Sequence, residues 1–199
     1  LGVAPKIVMI KDLDSSGAWR MYTEMTGNQS QLALDQTSAA DSGNTGMWNS
    51  TSPTTTTFSI GTHGNVNTSS NNYIAYCFAE KVGYSKFGSY TGNGNADGPF
   101  VYTGFKPAFV IIKNTAASQN WTMNNNKSLG YNPDNNILFP NTNGAENTGD
   151  NMDLLSNGFK IRWNDGVNNT NGQNYIYMAF AEEPFVANVG SNGIAATAR

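Results

Sequence analysis

One histidine, a few carboxylates and four tryptophans are the side chains of this 199-residue chain that could do chemistry or grip a ligand. His63 lies in the turn Gly61-Thr62-His63-Gly64. Acid–base or metal work needs partners, and with no second histidine and no cysteine beside it His63 reads as a loop residue. Serine-nucleophile chemistry would need the same histidine, and no Gly-x-Ser-x-Gly elbow is present to meet it. Glycoside hydrolysis needs two carboxylates across a sugar; the acids that recur are Glu80 and Glu182, each closing an apolar strand pattern. Equivalent placement points instead to carboxylates that cap backbone donors or pair with lysine. Asp12-Leu13-Asp14, followed by Ser15, Ser16 and Gly17, offers the oxygens calcium takes from a turn. The matching stretch further along has Asn114 and Ala116, and no glutamate stands ready as a bidentate ligand. No catalytic residue, metal site or cofactor is expected.

Sugar binding makes lighter demands, since an aromatic face stacks on a pyranose while amides read its hydroxyls. Trp19 and Trp121 recur within alternating strands and read as core. Trp48 and Trp163 border loops and are each followed by asparagine, in Trp48-Asn49-Ser50 and Trp163-Asn164-Asp165-Gly166. With Tyr131 of Gly130-Tyr131-Asn132-Pro133, the candidate ligand-binding set is Trp48, Asn49, Tyr131, Trp163, Asn164 and Asp165. Core packing competes for both tryptophans, because tryptophan is highly buried on average.

The elements that must position these residues come twice. Pro5-Lys6-Ile7-Val8-Met9-Ile10-Lys11 returns as Pro107-Ala108-Phe109-Val110-Ile111-Ile112-Lys113, and Tyr73-Ile74-Ala75-Tyr76-Cys77-Phe78-Ala79-Glu80 returns as Tyr175-Ile176-Tyr177-Met178-Ala179-Phe180-Ala181-Glu182, both at a spacing of 102. Phe58-Ser59-Ile60 returns as Phe159-Lys160-Ile161. The pattern predicts an all-β chain of two tandem homologous β-sandwich, jelly-roll-like units, residues 1–92 and 93–199, with long Asn/Gly/Thr-rich loops. Predicted strands include Thr57 to Ile60, and the apolar runs at 73–80 and 175–182, apolar at both sets of alternate positions, predict central strands. Segments 35–56 and 141–151 read as surface loops. The first unit has no counterpart of the hairpin expected around residues 87–105, which predicts that strands are supplied from upstream of Leu1 or by a neighbouring chain.

Composition limits the partners. The net charge of −3 and a charged share of 13% leave no broad basic surface, so nucleic acid is not expected. The 29 asparagines and 21 glycines suit turns and polar loops rather than helices. Cys77 is the only cysteine, so no intramolecular disulfide can form. The apolar runs are too short to cross a bilayer, and membrane insertion is not expected.

Leu1-Gly2-Val3-Ala4-Pro5-Lys6, Gly83-Tyr84-Ser85-Lys86-Phe87-Gly88-Ser89-Tyr90-Thr91-Gly92 and Phe100-Val101-Tyr102-Thr103-Gly104-Phe105-Lys106-Pro107-Ala108, with the ending Phe180-Ala181-Glu182-Glu183-Pro184-Phe185, give the chain a likeness. It resembles the C-terminal region of structural proteins of tailed bacteriophages, particularly marine ones, often tail fibres. The resemblance implies a virion component on the exposed, extracellular surface, with other virion subunits as partners and a homo-oligomeric state. It carries no catalytic motif. The function expected is attachment to a host-surface glycan or protein through displayed loops; the alternatives are an architectural capsid-decoration or appendage subunit and, third, a polysaccharide depolymerase.

Overall fold

The computed structural model describes residues 1–128, 132, 136–149 and 151–183, and the backbone of Val186–Ala187 and Ile194–Ala195. The fold is all-β and antiparallel, with two four-residue helical turns. The chain divides into two compact units, Leu1–Ala79 with Thr115–Gln119, and Glu80–Asn114 with Asn120–Arg199.

The first unit contains β1 (Ile7–Asp12), β2 (Arg20–Thr23), β3 (Ser30–Ala33), β4 (Asp41–Ser42), the turns α1 (Thr45–Trp48) and α2 (Gly64–Asn67), and β5 (Tyr73–Phe78). One sheet of order β4-β3-β2-β1-β5 runs through it. The apolar run Ile-Val-Met-Ile puts β1 inside, buried on both of its alternate sets. Val8, Ile10 and Tyr22 then form one core face, and Met47, Trp48 and Val66 from the helical turns pack on it, with Phe58 and Tyr73 half-buried beside them. That second layer is made of turns rather than strands. Two expectations are corrected here. Segment 35–56, read as a surface loop, carries β4 and α1 and sends Met47 and Trp48 into the core. Residues 57–60, read as a strand, belong to none.

The second unit contains β6 (Ser85–Thr91), β7 (Phe100–Tyr102), β8 (Phe109–Asn114), β9 (Thr122–Asn125), β10 (Ile137–Leu138), β11 (Met152–Leu155), β12 (Gly158–Ile161) and β13 (Asn174–Phe180), followed by the two-residue strands β14 (Val186–Ala187) and β15 (Ile194–Ala195), which pair with each other. Its five-stranded sheet has the order β10-β9-β8-β13-β6, and a three-stranded sheet the order β11-β12-β7. Val110, Ile112, Tyr175, Tyr177 and Ala179 from the first sheet share a core with Val101, Met152, Leu154, Phe159 and Ile161 from the second. This unit is a sandwich in the strict sense. Because β6 pairs with β13 along its whole length, from Thr91 opposite Asn174 to Ser85 opposite Phe180, residues 85–91 belong with it rather than before a boundary at residue 92.

Strand pairing repeats at the spacing of 102. Val8 lies opposite Tyr22 and Cys77, and Val110 lies opposite Asn124 and Ala179. A tyrosine clamp repeats with it. The Tyr175 hydroxyl donates to Gly166 O at 3.1 Å and accepts the Thr170 N–H at 2.8 Å; the Tyr73 hydroxyl donates to Gly64 O at 3.0 Å and accepts the Thr68 N–H at 2.8 Å. Tyr175 is wholly buried, stacks on Tyr90 with centroids 5.0 Å apart, and also accepts from Asn114 Nδ2 at 3.2 Å. Tyr175→Phe strands these buried partners and is expected to cost about 1–3 kcal/mol in denaturant titrations. Tyr73→Phe, at a wetter site, should cost less.

The two apolar repeats differ in their surroundings. β13 lies between β8 and β6, as a central strand should. β5, expected to be central as well, ends its sheet among the described residues, with Ala75, Tyr76 and Cys77 exposed.

Candidate functional site

A cleft of about 510 Å³ opens in the second unit. Alternation along β7 begins it: Val101 turns into the core, while Phe100 and Tyr102 stay outward, Tyr102 63% exposed. The chain leaves β7 through Thr103-Gly104-Phe105, with Gly104 at φ 83°, a conformation glycine adopts without steric cost. The N–H groups of Thr103 and Gly104 both donate to Asn157 O, at 3.0 and 3.2 Å, which pins this connection to the β11–β12 turn at Ser156 and Asn157. The Thr103 hydroxyl donates to Phe105 O at 2.6 Å, and Phe105 is buried beneath. Backbone bonds from Ala108 to Phe180, from Asn126 to Ala108 and from Ala181 to Tyr84 then bring Asn126 and the Ala181–Glu183 stretch to the same cleft.

Lys106, Glu182 and Glu183 bring charge to the cleft, and Glu182 is engaged. Glu182 accepts from Asn126 Nδ2 at 3.0 Å and pairs with the Lys127 ammonium. The hydrogen bond from Lys127, then that from Asn126, then the lysine charge hold its carboxyl below the usual glutamate range. At neutral pH Glu182 is a fixed anion that accepts hydrogen bonds, unsuited to the general-acid half of a glycosidase pair. Alongside the charged Lys106 and Glu183, an exposed aromatic ring, the amides of Asn126 and Asn157, the Ser156 hydroxyl and the lysine-paired Glu182 carboxylate offer the stacking face and hydrogen-bonding groups that suit a polyhydroxylated ligand.

The candidates read from the sequence lie elsewhere. Trp48 is 2% exposed; its indole N–H donates to Ser30 O at 2.9 Å and its ring stands edge-on to Tyr22 at 5.8 Å. It is core and offers no stacking face. Asn49 is exposed in the left-handed conformation at φ 51°, ending α1. Trp163 is 39% exposed and lies so close over Gly149 that an added Cβ there would meet the ring at 2.8 Å. Asn164 is exposed beside it. Asp165 accepts the N–H groups of Val167 and Asn168, each at 3.1 Å, and burial pushes its carboxyl up. It holds a turn. Tyr131 falls outside the described residues, and none of the other five lines the cleft. Trp48 and Asn49 belong to the first unit, and Trp163 to Asp165 to the second. The signal that could have found the cleft was the outward pair Phe100 and Tyr102 around inward Val101 in a three-residue strand.

The remaining chemistry is structural. His63 Nδ1 accepts the Asn65 N–H at 3.2 Å, capping α2. Glu80 accepts the Phe87 N–H at 2.9 Å and pairs with Lys86. Asp12 takes hydrogen bonds from the Asp14 N–H and Asn71 Nδ2, and Asp14 from the Asn72 N–H and side-chain amide, while the Lys11 ammonium occupies Ser15 O and Gly17 O. The oxygens a calcium ion would want are thus taken by amides and by a cation of the chain itself. Among the described residues no three His, Cys, Asp or Glu side chains gather as a metal site, and no helix is long and apolar enough to cross a membrane. A smaller cleft of about 260 Å³ in the first unit is lined by Arg20, Gln31 and Asp41, which are tied to one another: Arg20 donates to Gln31 and Gln31 to Asp41.

No curated protein and no solved structure matches the chain. The model of a domain of unknown function, DUF7483, matches residues 1–184, and the chain belongs to that family.

Proposed function

We propose that the chain is a non-catalytic attachment module of a virion appendage, such as a tail fibre or spike, and that it holds a host-surface glycan in the cleft beside Tyr102. The observation that carries this reading is the exposed Tyr102 ring in a cleft of about 510 Å³ with two amides, a hydroxyl and a carboxylate already neutralised by lysine. The resemblance to tailed-phage structural proteins supports the setting. Each contact is weak, and display in several copies on a homo-oligomeric appendage multiplies it. A duplicated β scaffold, supported by the common register at 102 residues, supplies rigidity for that display.

A multimeric form of the chain, applied to an array of bacterial surface glycans, is expected to bind a subset. Tyr102→Ala should weaken that binding at least tenfold, which corresponds to about 1.4 kcal/mol. Absence of binding by the wild-type multimer, or binding indifferent to Tyr102, would sink the reading. The architectural alternative, a capsid-decoration or appendage subunit, is favoured by one observation, the exposed edge of β5. In the depolymerase alternative the same array treatment would release shortened glycan, an outcome the engaged Glu182 argues against.

A further inference from the structure

We propose that the outer edge of β5 is a strand-acceptor site, filled by an extended segment of another polypeptide that runs antiparallel to it with the side-chain alternation of β6. This rests on the sheet edge and is independent of the Tyr102 cleft. The second unit shows what covers the equivalent edge: β6 lies along β13 over seven residue pairs. Position by position, Tyr73, Ala75 and Cys77 of β5 stand where Tyr175, Tyr177 and Ala179 of β13 stand, since each strand pairs with β1 or β8 in the same register.

The backbone points the same way. Leu13 N–H donates to Asn72 O, and continuing that register turns the N–H and C=O groups of residues 74, 76 and 78 toward β1. Those of Tyr73, Ala75 and Cys77 therefore face the open side, where no described strand pairs with them. In the second unit the bonds Gly92 N–H to Gln173 O and Ala181 N–H to Tyr84 O set the same parity, and residues 175, 177 and 179 meet β6. Tyr-Ile-Ala-Tyr-Cys-Phe has no charge, proline or glycine, so the edge lacks the usual protections against pairing. Tyr76 is 46% exposed on it. A second difference between the units accompanies the first. Phe159 of β12 pairs with Val101 of β7, whereas Phe58, its sequence counterpart, is in no strand. Among the described residues, neither strand that the stretch 85–102 supplies to the second unit has a counterpart in the first.

The template also sets the chemistry of the incoming strand. Tyr90 stacks on Tyr175 at 5.0 Å, so an aromatic residue belongs opposite Tyr73. Gly88 is needed opposite Tyr177, because an added Cβ would meet that ring at 2.8–3.0 Å. Ala75 replaces Tyr177, so the partner can carry a larger side chain there. Main-chain bonds supply affinity and these alternate positions supply selectivity.

The test uses the full chain, isotope-labelled, and a synthetic peptide with the sequence of residues 81–92. Saturable one-to-one binding is expected, with hydrogen exchange of the Tyr73, Ala75 and Cys77 amides slowed at least tenfold and no such protection from a scrambled peptide. A peptide with cysteine at the Lys86 position, activated as a mixed disulfide, should capture Cys77 at least tenfold faster than one with cysteine at the Phe87 position, since Lys86 faces Ala179 and Cys77 is its counterpart. This arm needs no variant of the protein, so misfolding cannot obscure it. Protection elsewhere, equal capture from both positions, absence of peptide binding, or an edge already protected in a dimer of the chain would each overturn the proposal.

Discussion

Trp48→Ala is expected to destabilise the first unit by about 3–5 kcal/mol, the cost of a large cavity in a core that cannot collapse around it. The side chain projects from the turn α1 into the core beside Tyr22, and its N–H satisfies Ser30 O in the interior, so truncation removes both packing and a buried partner. Hydrogen exchange at Val8 and Ile10, opposite Tyr22 and Arg20 on β2, would read the loss in the unit where it occurs. Trp163→Ala should cost roughly 1 kcal/mol, because that ring is already partly wet and covers mainly Gly149. Equal effects of the two substitutions would contradict the assignment of one tryptophan to the core and the other to the surface.

Lys113→Met should flatten the alkaline dependence of stability. Lys113 is wholly buried on β8, and desolvation lowers its ammonium pKa from 10.5 to about 8. Between pH 8 and 10.5 the unfolded chain binds the proton that the folded chain has released, so wild-type stability rises with pH across that window. Tyrosine sets the opposite trend above it. Burial raises Tyr177 to about 12 and pushes Tyr90 well above the usual tyrosine value, so the folded state keeps protons that the unfolded state loses near pH 10, and stability falls beyond that point. Denaturant midpoints between pH 7 and 11 should therefore peak near pH 10 in the wild type. In Lys113→Met the rise should vanish and the fall remain. A wild-type curve flat from pH 8 to 10 would show that the lysine is not desolvated. Its sequence counterpart Lys11 is half-buried and donates to the carbonyls of Ser15 and Gly17.

How much was legible in the sequence varies residue by residue. The apolar run of β13 announced a central strand because its own pattern, apolar at both alternate sets, is what burial on two faces requires. The like run of β5 misled for a physical reason: a strand's place depends on who pairs beside it, and no described strand lies beyond β5. Thr57 to Ile60 has strand-like residues, yet without a neighbour such as β7 it has no ladder to join. Trp48 was hidden by its polar surroundings; the doublet Met47-Trp48 was the one sign that segment 35–56 dips into the core. Asp165 looked like a sugar contact and is a turn cap, a role that the spacing to Val167 and Asn168 already allowed. Of the Tyr102 cleft only the outward pair Phe100 and Tyr102 was legible; its other walls depend on bringing residues near 84, 104, 126, 157 and 182 together across two sheets.

Nuclear magnetic resonance titration of the isotope-labelled chain with an oligosaccharide taken from the array hit tests the attachment proposal most directly. Saturable shifts are expected at Tyr102, Gly104, Asn126, Asn157 and Glu182, with the ligand recovered intact. Shifts confined to the Trp163–Asp165 loop, or a shortened oligosaccharide at the end of the titration, would contradict it.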